Sequence, residues 1–251
     1  MRIDKFLADK YSSRSKAAAA ISDGLVLVNG KTVSPSYEVK DSDELTFLKA
    51  EKNFVSAGGF KLDKALDDFG RSVEGGVFAD IGASTGGFTD CLLQRGAAKV
   101  YCVDVGESQL DKSLLEKNVV VIDNFNARNL EKSTFPEELD GVTVDVSFIS
   151  LTYVLGAVAQ TLGEGKPVYA LVKPQFECES RSVGKNGVVK DKVLHKKILR
   201  KIYDFCLSVG LAPVGLTNAP IIKGKNLEYV ILAERGGVCK PFEKLIQSVV
   251  L

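Results

Sequence analysis

The residues Val77-Phe-Ala-Asp-Ile-Gly-Ala-Ser-Thr-Gly-Gly-Phe-Thr-Asp90 decide the fold of this chain. An apolar run ends at Asp80, a glycine-rich segment follows, and Gly86 to Arg95 has the apolar spacing of a helix. This is the pattern of a strand, a tight turn and a helix. Because glycine lets the backbone approach a ligand and a helix start presents free N–H groups, the pattern predicts a site for a nucleotide-like cofactor.

The glycine spacing bears on which cofactor binds. A dinucleotide fingerprint needs a second glycine two residues after the first, but Ser84 stands two residues after Gly82. The loop instead suits a smaller polar group, such as the amino-acid end of S-adenosylmethionine. Asp104 ends a second predicted strand about 20 residues further on, where a ribose diol needs an acceptor. Other α/β domains also have glycine turns and acids after strands, and that alternative stays open.

Composition limits the other classes of protein. The chain has 251 residues and a net charge of +1, so any case for nucleic acid must come from local charge. Its five cysteines form no C-x-x-C pair, no signal-peptide core is apparent, and no apolar run reaches the roughly 20 residues of a membrane span. We therefore expect a cytoplasmic protein without a membrane partner. His195 lies in a lysine-rich stretch and is predicted to be a solvated surface residue, so no histidine-bound metal is expected.

The chain divides into a small unit at 1–48, a connector at 49–57 and an α/β unit at 58–251. In the small unit, two short helical patterns precede a hairpin with the favoured Asn29-Gly30 turn. In the large unit, helical and strand patterns alternate, which predicts a mostly parallel sheet covered on both faces, with ligands at the carboxyl ends of the strands. After the first strand and helix, the predicted elements are strand 99–104, helix 107–116, strands 119–122 and 142–145, helix 151–162, strand 168–172, helix 190–209, and strands near 213–219 and 227–234.

Charged residues stand next to several of these apolar segments. Asp145 and Lys173 follow strands, Glu228 lies within the last strand pair, and Lys61 opens the helix at 58–69. A charge at the end of a buried strand is costly unless it is paired, so two acids and two lysines in one cluster would compensate each other. The alternative is that they are four ordinary charges at the rim.

Basic residues gather in two places. The first group lies near the helix starts and hairpin of the small unit, where it could bind phosphates without reading sequence. The second precedes and opens the helix at 190–209, beside a glycine-broken loop predicted to be mobile; a solvated helix face is the alternative. The candidate RNA-binding residues are Arg2, Lys5, Arg14, Lys16, Lys31, Arg181, Lys185 and Lys190.

The motifs R-I-D-K-F-L (2–7), S-R-S-K-A (13–17) and G-L-V-L-V-N-G-K (24–31) resemble the S4 RNA-binding domain; a module for protein contacts is the alternative. The motifs S-A-G-G-F-K-L (56–62), D-I-G-A-S-T-G-G-F-T-D (80–90), D-V-S-F-I-S-L (145–151), V-K-P-Q-F-E (172–177) and N-L-E-Y (226–229) are similar to the hemolysin A or TlyA family. That family joins an S4 domain to an FtsJ-like ribosomal RNA 2′-O-methyltransferase, and the similarity covers essentially the whole chain.

The resemblance implies a Rossmann-like S-adenosylmethionine-dependent methyltransferase fold behind a small α+β S4 domain. It implies a catalytic tetrad of Lys61, Asp145, Lys173 and Glu228. It also implies a cofactor site formed by Asp80, Gly82, Ala83, Ser84, Gly86, Gly87, Asp104, Val105, Asn126 and Ala127. Among these, we expect Asp80 to shape the loop. Resembling sequences often have arginine where this chain has Ala57, so a phosphate contact there is in doubt.

The implied activity is methylation of a ribose 2′-hydroxyl of ribosomal RNA, on cytidine and in the large subunit, within a ribosomal subunit or particle. Lys173 would lie beside the hydroxyl and either accept its proton or stabilise the developing alkoxide. Amino methylation fits less well because no prolines follow Asp145, and Cys178 is predicted to be a small core residue and not a nucleophile. A non-catalytic RNA-binding protein is the main alternative, and a membrane-active hemolysin is a third.

Overall fold

The computed structural model describes residues 1–11, 13–47, 53–179, 183–184 and 187–251. The chain folds into two units, Met1–Asn53 and Phe54–Leu251. Residues 54–57 of the predicted connector lie in the second unit, where the ring of Phe54 meets that of Phe60 at 5.0 Å between centroids. The predicted boundaries at 48 and 58 stay a prediction.

The described residues of the first unit form a small α+β domain with two helices and a three-stranded antiparallel sheet in the order β2-β1-β3. Asn29 and Gly30 both have positive φ, 50° and 73°, which confirms the predicted hairpin turn. The apolar residues that give the helices and strands their pattern, among them Ile3, Ile21 and Val26, form one buried cluster. The elements are α1 (Ile3–Phe6), α2 (Arg14–Ser22), β1 (Val26–Val28), β2 (Lys31–Thr32) and β3 (Leu45–Phe47).

The second unit alternates strands and helices as predicted. Its strands are β4 (Val77–Ile81), β5 (Lys99–Val103), β6 (Val119–Ile122), β7 (Gly141–Val144), β8 (Pro167–Val172), β9 (Leu211–Asn218) and β10 (Tyr229–Arg235). Its helices are α3 (Gly58–Phe69), α4 (Gly87–Gln94), α5 (Lys112–Leu115), α6 (Leu155–Thr161), α7 (Pro174–Glu177), α8 (Lys192–Ser208) and α9 (Phe242–Leu245).

The seven strands form one sheet in the order β6-β5-β4-β7-β8-β10-β9. The pairs from β6 to β8 are parallel, whereas β10 runs antiparallel to β8 and β9. Successive residues point to opposite faces, so that Phe78 and Ile81 belong to separate buried clusters on the two sides. This confirms the predicted mostly parallel α/β sheet with both faces covered.

The chain order reverses between β4 and β7, and ligands of open α/β sheets bind at such a switch point. The loops after β4, β5, β7 and β8 therefore meet at one edge. Because β10 is antiparallel, its start lies at this same edge: Tyr229 pairs with Val172, which brings Glu228 next to Lys173. The topology thus positions the predicted charges together.

The predicted helix at 107–116 shrinks to the four residues of α5. Two carboxylates hold the preceding backbone in a loop, since Gly106 N donates to Asp104 Oδ1 and Ser108 N donates to Asp123 Oδ2, both at 2.8 Å. Ser108 also has a positive φ of 53°, which a helix does not allow. The segment after β5 is therefore a loop at the ligand edge of the sheet.

Candidate active site

The loop between β4 and α4 lies tightly against the end of β7. Gly82 has φ of 82°, and a Cβ at this position would lie 2.7 Å from the carbonyl oxygen of Asp145. The amides of Gly82 and Ala83 both donate to Val103 O, at 2.8 and 3.2 Å. Only glycine fits here, because a side chain would collide with the backbone that follows β7.

Asp80 shapes this loop from beneath. It is fully buried; its Oδ2 accepts from Thr89 N at 2.9 Å and Thr89 Oγ1 at 2.7 Å, and its Oδ1 accepts from Thr143 Oγ1 at 2.8 Å. Both oxygens are therefore engaged by protein donors, as expected of a residue that fixes the start of α4. Burial raises the pKa of this carboxyl to about 6 despite the three hydrogen bonds.

The raised pKa of Asp80 predicts a specific pH dependence of stability. The folded state holds the proton more tightly than the unfolded state, whose pKa is near 3.8, so this group lowers the free energy of unfolding as pH rises from about 4 to 6. The shift corresponds to about 3 kcal/mol at 1.36 kcal/mol per pKa unit. We expect Asp80→Asn to remove this decline, so that the variant gains stability relative to wild type across that interval in urea unfolding at several pH values. Parallel curves for the two proteins would contradict the assignment.

Asp104 stands at the wall of a cavity of about 520 Å³ at the ligand edge of the sheet. Its two oxygens accept from Ser84 N and Gly106 N, both at 2.8 Å, so the carboxylate joins the two loops that border this cavity. Each oxygen keeps a further lone pair for a ribose diol. The other predicted cofactor residues that line the same space are Gly82, Ser84, Val105, Asn126 and Ala127.

These residues fit an adenosyl cofactor. The glycine loop provides the close backbone approach, Asp104 provides the acceptor, and Val103, Phe125 and Ile149 provide apolar walls. Gly86 and Gly87 do not line this cavity: Cβ atoms there would meet Leu114 at 2.4 Å and Ser56 Oγ at 2.2 Å. Because these two glycines have no side chain, the loop and α4 can pack closely against their neighbours.

The four predicted catalytic residues form two ion pairs. Lys61 Nζ lies 2.6 Å from Glu228 Oε2, and Lys173 Nζ lies 2.5 Å from Asp145 Oδ1. The contact between Lys173 and Asp145 is an ion pair whose angles do not meet those of a hydrogen bond. Among the described residues, Asp145 Oδ1 therefore has no hydrogen-bond donor. Side-chain exposure is low, from 10% for Lys173 to 24% for Lys61. Two cations and two anions thus compensate each other at this edge, as the clustering hypothesis predicted.

A second cavity of about 160 Å³ contains Lys61, Asp145 and Lys173 in its lining. It shares Gly82, Ser84, Asp145 and Ser147 with the larger cavity, so the two spaces meet at the end of β7. Glu228 reaches this site through Lys61. A wider groove of about 1040 Å³ runs along β9, and the predicted site residues that the structure describes do not line it. The geometry brings a charged pocket next to a nucleoside-sized pocket.

Three residues at this site were not predicted. Ser147 accepts a hydrogen bond from Lys173 Nζ at 2.8 Å, and Gln175 Nε2 donates to Glu228 Oε1 at 3.4 Å. Phe148 is 86% exposed with φ of 64°, and its ring lies 5.0 Å from that of Phe176. All three lie within the motifs that follow β7 and β8. For Ser147 and Gln175 this position was a signal, because polar residues beside a charge at the end of a strand commonly orient it.

The prediction for His195 was wrong. The side chain is buried, with Nδ1 2.8 Å from Tyr229 Oη and Nε2 3.0 Å from Val189 O. His195 lies on the buried face of α8 with Ile198 and Ile202. The lysines between these positions conceal the helical spacing of the buried residues in the sequence. Cys178 is half-buried against the core, and burial raises the pKa of its thiol, which disfavours the nucleophilic thiolate.

The predicted RNA-binding residues of the first unit are exposed. Arg2 and Arg14 both form ion pairs with Asp4, whereas Lys5, Lys16 and Lys31 extend from the surface. Lys190 is exposed just before α8. Arg181 and Lys185 lie outside the described residues, so their predicted roles stay predictions.

A parallel-rich sheet with a glycine loop after its first strand and an acid after the second is typical of α/β domains that bind a nucleoside-containing cofactor. The FtsJ-like methyltransferase family model matches residues 54–235, and the S4 domain model matches residues 1–45. The chain belongs to the FtsJ-like methyltransferase family and carries an S4 domain at its N-terminal end. This confirms the predicted class of enzyme, with S-adenosylmethionine as the methyl donor.

Several relatives match most of the chain. Hemolysin A of Brachyspira hyodysenteriae is 43% identical, covering 92% of this chain and 98% of its own. The 16S/23S rRNA (cytidine-2′-O)-methyltransferase TlyA of Mycobacterium tuberculosis is 39% identical over 87% of this chain and 83% of its own. A solved structure described as a hemolysin, from Streptococcus thermophilus, is 36% identical, with a TM-score of 0.76 over 98% of this chain and 94% of that one. The resemblance read from the motifs is thereby confirmed.

The helices of the described residues include none long and apolar enough to span a bilayer.

Proposed function

We propose that this protein transfers a methyl group from S-adenosylmethionine to a ribose 2′-hydroxyl of ribosomal RNA. The observation that carries the proposal is the junction of the two cavities, where Lys61, Asp145 and Lys173 face the space beside Gly82. The Mycobacterium tuberculosis relative is named for cytidine 2′-O-methylation of 16S and 23S rRNA, and a Campylobacter jejuni relative, 33% identical over 91% of this chain and 97% of its own, for that of 23S rRNA. We extend the substrate accordingly to a cytidine of the large subunit, and activity on ribosomes would lie in the cytoplasm.

The site residues divide the work between the two cavities. Asp104 would hold the ribose of the cofactor, Asn126 and Ala127 would border the adenine, and the Gly82 loop would hold the methionine end. When bound, S-adenosylmethionine supplies a methyl group already activated by the positive sulfur. The chain must therefore chiefly align the attacking oxygen and ease the loss of its proton.

The ion pairs would perform this alignment. Asp145 fixes Lys173, and Glu228 fixes Lys61, so that both ammonium groups face the smaller cavity in defined positions. Lys173 or a water molecule would accept the proton of the 2′-hydroxyl, while S-adenosylmethionine held beside the Gly82 loop would supply the methyl group. Ser147 receives one N–H of Lys173, which directs the remaining N–H groups.

The two basic surfaces would guide the RNA through contacts with its phosphates. One comprises the exposed basic residues of the first unit, and the other begins at the exposed Lys190 of the second unit. The neighbouring Val189 donates its N–H to Asn226 Oδ1 at 2.8 Å, in the segment that leads into β10. Arg181 and Lys185, outside the described residues, are proposed to extend the second surface.

Label transfer separates this function from that of a non-catalytic RNA-binding protein. Large ribosomal subunits from a strain lacking the protein are incubated with the full chain and S-adenosylmethionine labelled on the methyl group. We expect label in the ribosomal RNA of these subunits. RNA binding without label in subunits, assembled ribosomes or free ribosomal RNA would support the scaffold role.

A further inference from the structure

Asp4 of α1 brings two arginines together from different parts of the first unit. Its carboxylate is buried, with a residue exposure of 3%. Arg2 Nη2 lies 2.8 Å from Oδ2 and Arg2 Nε 3.3 Å from Oδ1, while Arg14 Nη2 and Nε lie 3.1 and 3.2 Å from Oδ2. Four N–H groups of two guanidinium groups thus converge on one acid.

Both guanidinium groups nevertheless remain available to a ligand. The side chains of Arg2 and Arg14 are 47% and 55% exposed, and each guanidinium has five N–H donors, of which Asp4 takes two. One negative charge holds two positive charges, so the cluster keeps a net charge of +1. Hydrogen bonding to Arg2 lowers the pKa of Asp4, which keeps this acid ionised at neutral pH.

The backbone on both sides of the cluster is also fixed. Arg2 forms a β-bridge with Glu38, and Ile3 N donates to Tyr37 O at 2.8 Å. Arg14 opens α2, whose N-cap Ser13 accepts from Lys16 N at 3.1 Å. An unrestrained arginine side chain loses conformational entropy when it binds a phosphate. An arginine that is already held in position loses less, so its binding is more favourable.

We propose that Asp4 is a positioning residue that holds Arg2 and Arg14 as a preformed clamp for the phosphodiester backbone of RNA. The inference rests on the RNA-binding part of the proposed function. The partner is defined by chemistry: planar guanidinium groups match phosphate oxygens in a two-pronged geometry and do not read bases. Asp4 itself repels RNA, so its benefit must come entirely from orientation.

Orientation and electrostatics therefore predict opposite changes in RNA affinity when Asp4 is neutralised. Asp4→Asn and Asp9→Asn each remove one negative charge from the same short segment. Asp9 is exposed in the turn after α1 and, among the described residues, forms no ion pair with Arg2 or Arg14. Electrostatics alone predicts equal or tighter RNA binding for both variants. We expect Asp9→Asn to follow this rule and Asp4→Asn to bind about tenfold more weakly, with a salt dependence reduced by about one to two phosphate contacts.

Binding is measured by fluorescence anisotropy of a labelled RNA hairpin with the full chain, and circular dichroism and S-adenosylmethionine affinity monitor the fold of each variant. Should Asp4→Asn unfold the first unit, Arg14→Lys replaces it. Arg14→Lys keeps the positive charge but loses the planar guanidinium that can bind a phosphate through two N–H groups. We expect it to bind RNA about threefold more weakly. Folded Asp4→Asn that binds as tightly as Asp9→Asn, or Arg14→Lys that binds like wild type, overturns the inference. Failure of the wild type to bind the hairpin would instead contradict the proposed RNA surface.

Discussion

Replacing Lys173 with alanine is expected to reduce methyl transfer by about a thousandfold while S-adenosylmethionine still binds. Lys173 contacts Asp145 and Ser147, and it lines the smaller cavity but not the larger one. The variant therefore removes the group beside the hydroxyl and leaves the nucleoside pocket intact. Single-turnover label transfer measures the first effect, and isothermal titration calorimetry with S-adenosylmethionine measures the second.

Lys166→Ala is the matched control. Lys166 lies just before β8, at the end opposite Lys173, and its Nζ lies 2.7 Å from Asp140 Oδ1. This ion pair is of similar length but more exposed, with the lysine side chain 38% exposed against 10% for Lys173. Loss of either lysine removes the ion-pair partner of a carboxylate, but of the two lysines only Lys173 lines the smaller cavity. Wild-type turnover in Lys173→Ala, or equal losses in both variants, would show that Lys173 has no special role in the reaction.

Replacing Gly82 with alanine is expected to weaken S-adenosylmethionine binding by about a hundredfold, equivalent to about 2.7 kcal/mol. The new methyl would lie 2.7 Å from Asp145 O and 3.2 Å from Val146 N, so the loop must move away from β7. That movement displaces the backbone that borders both cavities. Calorimetry with S-adenosylmethionine gives the change in affinity, and thermal unfolding reports the stability.

Gly75→Ala separates this clash from backbone strain. Gly75 has a similar φ of 70°, but a Cβ there has no neighbour within 4 Å among the described residues. Both substitutions therefore destabilise the fold by forcing alanine into a left-handed backbone conformation. Only Gly82→Ala also brings the new methyl group into collision with the backbone of Asp145. Equal cofactor affinity in the two variants would mean that the tight loop is irrelevant to binding.

The convergence of the tetrad was predictable because it depends on topology. Carboxyl ends of parallel strands share one edge, which joins Asp145 to Lys173 once the strands are recognised. Glu228 required the further step that β10 is antiparallel, so that a residue before its start reaches the same edge. The motifs indicated these positions, and the resemblance supplied their roles.

Side-chain partnerships were less accessible to sequence patterns. The lysines of α8 conceal the buried face that carries His195, and the strand pattern does not reveal that Ser147 receives a hydrogen bond from Lys173. Arg2 and Arg14 were identified as basic, but their shared contact with Asp4 depends on the packing of α1 against α2. Short-range spacing fixes which elements form; long-range packing decides which atoms meet.

The central claim is that the charged pocket directs a methyl group to a sugar oxygen, and alkaline hydrolysis of the labelled RNA tests it most directly. Alkali cleaves a phosphodiester only through a free 2′-hydroxyl, so a 2′-O-methylated nucleotide remains joined to its neighbour. We predict that label transferred by the wild-type protein is recovered in alkali-resistant dinucleotides and is lost with Lys173→Ala. Label recovered in mononucleotides would mean that a base is methylated, which contradicts the assignment of Lys61, Asp145, Lys173 and Glu228 to ribose chemistry.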